Sequence, residues 1–333
     1  MAERPLRVGV LGGGTMAALH LATLLEAPGV RVVGLAAPEI DRSLAKIMAT
    51  REIEEMATEA LLAPGALDAV VIATPTDRHS ELASLAVLAG AAVFCEKPVT
   101  RTLAEAEHLA ALAARFRAKV AVGHVLRYFP EYEAARRQVA TGRIGTVGIC
   151  RLLRANTSPV ARRPWYGERA RSGGVLLDLA IHDLDWCRWA LGPIRRVFAR
   201  ASGPEEQRVV AVLARHTSGA ISYLDASWRA GHFDSRLEVC GTEGIYCAEH
   251  SGDAGFCLVP VHAEAASYLP SEADGSAGVD DPYRRELTEA LAWFAGGPAP
   301  RAVLEDGIEA LRLALAAEES IAFGQPVELE DPR

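Results

Sequence analysis

The chain has 333 residues, of which 50% are hydrophobic and 23% charged, so it is long enough to bury two separate cores. Its formal net charge of −8 at pH 7 disfavours nucleic acid as the main partner, because phosphate binding requires a basic surface. The six cysteines form no C-x-x-C pair and no zinc-ligand spacing, which favours reduced thiols. We also find no targeting signal and no apolar stretch long enough to span a membrane. These features predict a cytoplasmic globular protein.

Short β-branched runs alternate with longer Ala/Leu-rich runs from Leu6 to about Val125. The predicted strands are Leu6–Leu11, Val30–Ala36, Ala69–Ala73, Ala92–Cys95 and Lys119–Val122. Helices are predicted to begin at Thr15, Asp41, Asp77 and Thr102. This βαβ order predicts a parallel sheet covered by helices on both faces, and we assign it to a first domain at residues 1–125.

The pattern changes after Arg127, which places a second domain at residues 126–333. Its predicted strands are Val197–Ala201, Val209–His216, Ala220–Trp228, Arg236–Cys240 and Ile245–Ala248. The turn sequences T-S-G at 217–219 and G-T-E-G at 241–244 predict hairpins, hence an antiparallel sheet. Ala263 to Asp281 is predicted to be a long loop, and an amphipathic helix is predicted at 306–323.

The run G-G-G-T-M-A at 12–17 follows the first predicted strand and opens a helix. In this G-x-G-x-x-A pattern Gly12 allows a tight turn, Gly14 lets backbone approach a pyrophosphate, and Ala17 permits close helix packing. The first helical turn, with Thr15 and Met16, would offer backbone N–H groups to the phosphates. The position of the motif in a βαβ series favours dinucleotide binding over an ordinary glycine-rich turn.

The end of the second predicted strand bears on the choice of dinucleotide. An NAD site usually carries a carboxylate there for the ribose hydroxyls, but this chain has Ala37. Glu39 or Asp41 could substitute for it, or the gap could admit the 2′-phosphate of NADP with Arg42 nearby. Arg42 is equally consistent with an ordinary solvated helix residue. The choice between NAD and NADP therefore stays open.

Two later predicted strands end in chemically notable sequences. Thr74 and Pro75 follow one strand, with His79 shortly after, and E-K-P at 96–98 follows the next. An open α/β sheet places its ligands at this carboxyl edge. Lys97 is therefore predicted to be an acid/base group or a substrate clamp rather than an ordinary surface lysine.

The run S-G-G-V-L-L-D-L-A-I-H-D-L-D at 172–185 places Asp178 and His182 four residues apart in a helical context. Both side chains would share one helix face. A carboxylate beside an imidazole can hold a proton acceptor in orientation, so the pair predicts a proton-transfer site. Alone the pattern is weak, because such pairs are often solvated surface contacts.

With these motifs the chain resembles the glucose-fructose oxidoreductase / inositol dehydrogenase (Gfo/Idh/MocA) family over nearly its whole length. The matching runs are those at 12–17, 96–98 and 172–185 together with A-T-P-T-D-R-H at 73–79, G-H-V-L-R-Y-F-P at 123–130 and A-x-x-E-S-I-A-F-G-Q-P-V at 316–327. The resemblance implies an α/β Rossmann domain followed by an α+β domain with an open, mostly antiparallel sheet. It also implies an NAD or NADP cofactor, no metal, and dimers or tetramers.

The resemblance also implies roles for individual residues. Lys97, Asp178 and His182 would form the catalytic set, with Glu96 near the nicotinamide ribose and the Lys97–Pro98 bond often cis. The expected cofactor-binding residues are Gly12, Gly14, Thr15, Met16, Ala37, Thr74, Pro75, His79, Glu96 and Lys97. The expected substrate-binding residues are Arg127, Tyr166 and Tyr283. Arginines at 154 and 162–171 could bind an acidic sugar, although solvated arginines are the simpler interpretation.

Together these features predict an NAD(P)-dependent oxidoreductase that transfers hydride between nicotinamide and a secondary alcohol or ketone of a cyclitol, sugar or sugar derivative. Two alternatives stay open: an enzyme with transient internal redox on a sugar, either glycosidase-like or cofactor-recycling, and a catalytically silent NAD(P)-binding sensor. The expected partner is a small sugar-like or polyol-like molecule, with no nucleic acid and no membrane. We also expect a homodimer or homotetramer formed through the exposed face of the second sheet.

Overall fold

A computed structural model describes residues 4–251, 257–258, 269–270 and 281–329. The strands are β1 Leu6–Leu11, β2 Val30–Ala36, β3 Ala69–Ile72, β4 Ala92–Cys95, β5 Val120–Val122, β6 Val147–Thr157, β7 Ile194–Ser202, β8 Val209–His216, β9 Ile221–Ser227, β10 Arg229–Gly241, β11 Ile245–Ser251, β12 Cys257–Leu258, β13 Leu269–Pro270 and β14 Val327–Glu328. The helices are α1 Thr15–Glu26, α2 Arg42–Arg51, α3 Thr58–Leu61, α4 His79–Leu88, α5 Leu103–Phe116, α6 Pro130–Ala140, α7 Arg169–Ser172, α8 Ile181–Leu191, α9 Pro282–Phe294 and α10 Leu304–Phe323. None of the described helices is both long enough and apolar enough to cross a membrane.

The chain separates into two compact units, Met1–Val125 with Asp280–Ile308, and Leu126–Val279 with Glu309–Arg333. Asp280–Ile308 thus groups with the first unit, whereas the sequence analysis placed it in the second domain. The reason is α9, which the sequence analysis did not predict. Its apolar face, with Leu287 and Leu291, joins the core beneath α1, and its Arg284 pairs with Glu26 of α1 at 2.6 Å.

The first unit contains a five-stranded parallel sheet in the order β2-β1-β3-β4-β5. Successive residues of β3 enter different cores: Val70 and Ile72 pack with α4 and α5, while Ala69 and Val71 pack with α1, α2 and α9. Because both faces are covered, the strands are almost continuously apolar. The Rossmann architecture expected from the βαβ order is confirmed.

The second unit contains a seven-stranded sheet in the order β11-β10-β6-β9-β8-β7-β14. Only the central β6–β9 pair is parallel; the other pairs are antiparallel. One face is buried, as the alternation of buried Val210, Val212 and Ala214 with exposed Leu213 in β8 illustrates. The mostly antiparallel α+β unit is therefore as expected.

Strand β6 was missed in the sequence analysis although it lies near the middle of this sheet. In β6 the apolar and polar residues do not alternate by face, because Arg154 points to the buried side and Leu153 does not. An inward arginine hides the period-2 pattern on which strand prediction depends. The loop predicted at Ala263 to Asp281 lies almost entirely outside the described residues.

Candidate active site

The glycine-rich run forms a tight turn between β1 and α1. Gly12 has a φ of +131°, and a Cβ there would lie 2.2 Å from the carbonyl oxygen of Ala73. A Cβ on Gly13 would lie 1.7 Å from the carbonyl oxygen of Glu39. Ala17, the small third residue of the motif, is fully buried. Only residues without larger side chains allow this crossing of three chain segments.

Helix α1 begins immediately after this turn, with Gly14 as its N-cap. No side chain caps the helix, and its first turn contains no acidic residue. Thr15 is exposed and Met16 partly exposed at this end. The first N–H groups and the positive end of the helix dipole are therefore available to an anion, as the predicted phosphate site requires.

The loop after β2 lies directly against the glycine turn. The backbone N–H of Asp41 donates to the carbonyl oxygen of Gly13 at 2.7 Å, and the Cβ of Ala37 lies 3.0 Å from the position of a Cβ on Gly13. Asp41 is also the N-cap residue of α2, and Arg42 is exposed in the first turn of that helix. Asp41 and Ala37, two of the residues that could bear on the choice between NAD and NADP, thus lie beside the glycine turn, but the geometry does not select one cofactor.

The residues after β3 and β4 are joined by a buried histidine. His79 is 1% exposed, with Nδ1 2.7 Å from the carbonyl oxygen of Pro98 and Nε2 3.0 Å from that of Thr74. Burial lowers the pKa of His79, and its two backbone contacts and Glu96 oppose the change. A neutral imidazole carries one ring proton, so it donates to one of these carbonyl oxygens and lies against the other. Among the described residues, the Oγ1 atom of Thr74 beside it is buried without a hydrogen-bond partner.

The E-K-P sequence follows β4. Glu96 is 8% exposed, and its Oε1 lies 2.8 Å from Nε2 of His20 on α1. The backbone N–H of Lys97 donates to Oε2 of Glu96 at 3.3 Å, and the Lys97–Pro98 bond is cis, as the resemblance implied. Between Val93 and Thr100, Lys97 alone keeps partial exposure. Its side chain is thus presented at the ligand edge of the sheet while its neighbours are anchored.

Asp178 and His182 lie in the second unit, where a π-helical segment, Leu176–Ala180, runs directly into α8. From Ser172 to Cys187 only these two side chains are partly exposed. An α turn contains fewer than four residues and a π turn contains more than four. A four-residue spacing is therefore close to one full turn in either geometry, which places the two side chains on one side of the helix. The arrangement agrees with the predicted shared face, and π turns frequently occur at functional sites.

Trp228, which the sequence analysis did not select, supports this pair. Its indole Nε1–H donates to Oδ2 of Asp178 at 3.1 Å, and the residue is 1% exposed. Tyr166, a predicted substrate residue, packs edge-on against Trp228 at 6.2 Å and stacks on Trp165 at 4.0 Å. Tyr166 and Asp178 therefore lie around one indole. The tryptophan at the end of β9 was the available signal, but spacing alone does not pair it with Asp178.

Arg127 is placed differently from its prediction as a substrate residue. It is 1% exposed and donates to both carboxylate oxygens of Asp185, at 2.9 and 2.6 Å. Arg154, a possible ligand for an acidic sugar, likewise donates to both oxygens of Asp183 and to the hydroxyl of Tyr132. These guanidinium groups hold β6 and the segment before α6 to α8. The recorded contacts of both arginines thus link elements within the second unit.

The remaining predicted residues are less constrained. Tyr283 lies in the first turn of α9, where its backbone N–H donates to Oδ1 of the N-cap residue Asp281 at 3.0 Å. Arg169 pairs with Glu318 and Arg171 with Glu168, each at 3.4 Å, which leaves Arg162 as an exposed arginine of that segment. Two buried residues near Glu96, His20 and Glu286, were also missed, because neither stands out in an apolar helical sequence.

The geometry of the first unit fits a dinucleotide. Gly12 and Gly13 leave no room for a side chain where the glycine turn meets its neighbouring loops. No side chain caps the N-terminus of α1. Among the described residues, the hydroxyl of Thr74 at the edge of the sheet is buried without a partner. Together these features provide backbone donors for the phosphates and a polar group beside them.

Comparison with known proteins agrees over the whole chain. Residues 6–124 match the family model for an oxidoreductase family with an NAD-binding Rossmann fold, and residues 132–247 match the GFO/IDH/MocA C-terminal domain. Inositol 2-dehydrogenase of Rhizobium meliloti is 30% identical over 95% of this chain and 97% of its own. The 1,5-anhydro-D-fructose reductase of Ensifer adhaerens is 28% identical over 97% and 98%, respectively.

Among solved structures, GenD2 from gentamicin A biosynthesis, determined in complex with NAD, superposes with a TM-score of 0.84 at 26% identity, covering 99% of this chain and 98% of its own. The resemblance seen in the motifs is thus confirmed by similarity along the full length, and the cofactor class is a nicotinamide dinucleotide, NAD or NADP. The chain belongs to the Gfo/Idh/MocA family of NAD-binding oxidoreductases.

Proposed function

We propose that the protein is a cytoplasmic NAD(P)-dependent dehydrogenase or reductase that interconverts a secondary alcohol and a ketone on a cyclitol, a sugar or a sugar derivative. The observation that carries the proposal is the pair of partly exposed groups, Asp178 and His182, at the π-helical entry to α8. A nucleotide site alone would suit a sensor equally well. An oriented carboxylate and imidazole supply the proton-transfer group that alcohol oxidation needs.

The substrate class rests on the relatives. One relative is named for oxidation of inositol and another for reduction of 1,5-anhydro-D-fructose, and both align with nearly all of this chain. Their names describe the two directions of one reaction type, the interconversion of an alcohol and a ketone on a ring-shaped polyol. At 30% and 28% identity they support the class of substrate rather than one compound.

We assign the proton-transfer role to His182. Nicotinamide, when bound, supplies or accepts the hydride. As hydride leaves a carbinol carbon its hydroxyl must lose a proton, and an imidazole is suited to accept that proton near neutral pH. Asp178, itself held by the indole N–H of Trp228, orients the imidazole or binds a neighbouring hydroxyl. In the reverse direction the imidazolium returns the proton to the forming alkoxide.

We also assign Lys97 a role in the reaction. As an ammonium group it would donate a hydrogen bond to a substrate oxygen and stabilise developing negative charge. Its neighbours favour this role, because Glu96 and Pro98 are buried and only the lysine side chain leaves the strand end. The cofactor is assigned to the 12–17 turn, Ala37, Thr74, Pro75, His79 and Glu96. Within this set, His79 contributes by positioning the loop backbone rather than through a free ring nitrogen.

A homodimer or homotetramer remains our proposal for the assembly. On the uncovered face of the second sheet, Leu213, Ile221 and Ile245 are 44%, 41% and 37% exposed. Ile221 and Ile245 lie in one transverse row with Ile149 and Cys240. A contiguous apolar surface of this kind favours association of like chains. Sedimentation of the wild type and of Ile221→Asp tests it: a smaller species in the variant alone is expected.

The experiment for the reaction is an assay of reduced nicotinamide absorbance with NAD and with NADP, against cyclitols, aldoses and uronic acids, and of the reverse reaction with the corresponding ketones. Wild type is compared with Lys97→Ala and with Lys46→Ala, whose exposed lysine on α2 serves as the matched control. We expect turnover in the wild type and Lys46→Ala and a loss of roughly 10²-fold or more in Lys97→Ala. A substrate oxidised equally by all three would contradict the assignment of Lys97.

A further inference from the structure

Three ionisable side chains form a buried cluster inside the first unit. His20 of α1, Glu96 at the end of β4 and Glu286 of α9 are 0%, 8% and 2% exposed. One ligand atom from each lies within 4.8 Å of the others. The cluster joins the helix that follows the glycine turn, the strand that precedes Lys97 and the returning segment of the chain.

Glu286 is the carboxyl group of the cluster whose oxygens have no recorded hydrogen-bond partner among the described residues. Nε2 of His20 is 2.8 Å from Oε1 of Glu96, and an ionised carboxylate can only accept, so the ring proton is on Nε2. Among the described residues, Nδ1 of His20 and both carboxylate oxygens of Glu286 are buried without a hydrogen-bond partner. An unpaired buried carboxylate is costly, and a proton on Glu286 would remove its charge.

The charges around each carboxyl group decide where that proton resides. Glu286 faces Glu96 and Asp281, and burial followed by these two negative charges raises its pKa well above the ordinary value. Glu96 is buried too, but it faces His20, Lys97 and His79. Its hydrogen bond and electrostatic interaction with His20, followed by its electrostatic interactions with Lys97 and His79, lower the pKa of Glu96. The two carboxyl groups therefore differ in their preference for a proton.

We propose that Glu286 is a neutral carboxylic acid in the folded protein and acts as a positioning residue, holding His20 and the ionised Glu96 at the cofactor edge. One oxygen of this carboxyl group lies within 4.8 Å of the carboxylate of Glu96, so a second negative charge there would be repelled, whereas a neutral acid is not. The positioning part rests on the proposed function, in which Glu96 lies beside the nicotinamide ribose.

A divalent cation is the other way to neutralise two buried carboxylates. Ligands about 2.1 Å from a tetrahedral Zn²⁺ are about 3.4 Å from one another. The separation of 2.8 Å between His20 Nε2 and Glu96 Oε1 is instead a hydrogen-bond distance. The geometry therefore favours a proton over a metal ion.

The proton is tested on the protein without cofactor, using Glu286→Gln, Glu286→Ala and, as matched control on the same helix, Glu289→Gln, which removes an exposed carboxylate paired with Arg301. We expect the infrared carbonyl band of a protonated carboxyl group at neutral pH in wild type and Glu289→Gln but not in Glu286→Gln. The absence of such a difference would overturn the proposal. One equivalent of Zn²⁺ or Mn²⁺ in the purified wild type, lost in Glu286→Gln, would also overturn it.

Thermal unfolding across pH gives an independent measurement. The unfolded chain releases the proton of Glu286 above about pH 4.5, whereas the folded chain retains it, so this group's contribution to stability falls as pH rises from that point. Glutamine at position 286 cannot titrate. The unfolding temperature of Glu286→Gln should therefore rise relative to wild type by about 2 °C or more per pH unit above this value. A difference that stays constant with pH would contradict a neutral Glu286.

Positioning is tested by the dissociation constant for the dinucleotide. Glu286→Ala should weaken binding by about 10-fold, because Glu96 loses its fixed neighbour, and Glu286→Gln, which retains a donor, should recover most of the loss. Glu289→Gln should bind as wild type does. Wild-type affinity in Glu286→Ala would overturn the positioning role. Failure of the wild type to bind either dinucleotide would instead refute the proposed function, while the infrared result still decides the protonation of Glu286.

Discussion

The two units bury charged groups in opposite ways. In the second unit, Arg127 donates to both carboxylate oxygens of Asp185, and Arg154 donates to both carboxylate oxygens of Asp183. Each of these buried carboxylates is therefore paired with a guanidinium group. Among the described residues of the first unit, the buried histidines and carboxylic acids are His20, His79, His124, Glu96 and Glu286. His79 contacts two backbone carbonyl oxygens and Glu96 contacts His20, in place of guanidinium groups.

The two kinds of buried group differ in how their charge responds to pH. A guanidinium group keeps its charge at every pH at which the protein folds, so an Arg–Asp pair is a constant structural link. Histidine and glutamate change charge with environment, so a cluster of them makes stability and ligand binding depend on pH. The first unit places such groups against the strand ends at which the dinucleotide is proposed to bind. Between Ser172 and Cys187 the second unit leaves only Asp178 and His182 partly exposed.

Breaking a fixed pair should have the largest effect. Arg154→Ala leaves Asp183 buried and ionised without its partner, and should lower the free energy of unfolding by about 3–5 kcal/mol. Arg154→Met, which fills the space, should lose a similar amount unless Asp183 is replaced as well. Chemical denaturation measures both. Arg151→Ala on the same strand, which removes an exposed pair with Glu238, should cost at most about 1 kcal/mol; equal losses at 151 and 154 would contradict the comparison.

Removing the proposed proton acceptor should come next. His182→Ala should lower kcat by roughly 10²-fold or more while the dissociation constant of the dinucleotide stays near that of wild type. The exposed His232 of the same unit provides the control, and His232→Ala should retain full turnover. Steady-state kinetics and cofactor titration separate the two effects. Equal turnover in His182→Ala and wild type would remove this residue from the mechanism.

The indole contact to Asp178 should contribute less. Trp228→Phe keeps an aromatic ring beside Tyr166 but deletes the N–H that donates to Asp178. We expect kcat to fall by about 10-fold, the equivalent of about 1.4 kcal/mol for a lost hydrogen bond to a carboxylate. The unfolding temperature serves as a check, because a large fall there would show that the substitution disturbs the fold instead of Asp178.

The smallest expected effect is a pH dependence set by His79. Burial lowers the pKa of His79 in the folded protein below the ordinary value of 6.5. As pH falls, His79 is therefore protonated at a higher pH in the unfolded chain than in the folded protein. The stability contribution of a neutral His79 is therefore present above about pH 6.5 and is lost below it, by up to about 1.4 kcal/mol per pH unit. His79→Gln cannot titrate, so its stability relative to wild type should rise as the medium becomes more acidic. A pH-independent difference would show that His79 is not neutral in the fold.

Much of the architecture was predictable because local patterns carry it. The bounds of β1, β2 and β4 agree with the prediction, since a strand buried on both faces is a continuous apolar run between turn residues. The Asp178 and His182 pair was also visible, because a four-residue spacing on a helix depends only on local geometry. By contrast, β6 was hidden by its inward-facing Arg154, and α9 was missed within the C-terminal region.

By itself the sequence determined the order of most strands and helices and the glycine turn, because each of these depends on neighbours along the chain. It also predicted the side chains to which we assign the chemistry. The tertiary structure decided what those side chains contact. It assigned Arg127 and Arg154 to buried aspartates, placed Trp228 on Asp178, and brought Glu286 to Glu96 and to His20 across 190 and 266 residues of the chain. Burial and the charges from distant segments set these partnerships, and neither can be deduced from local spacing.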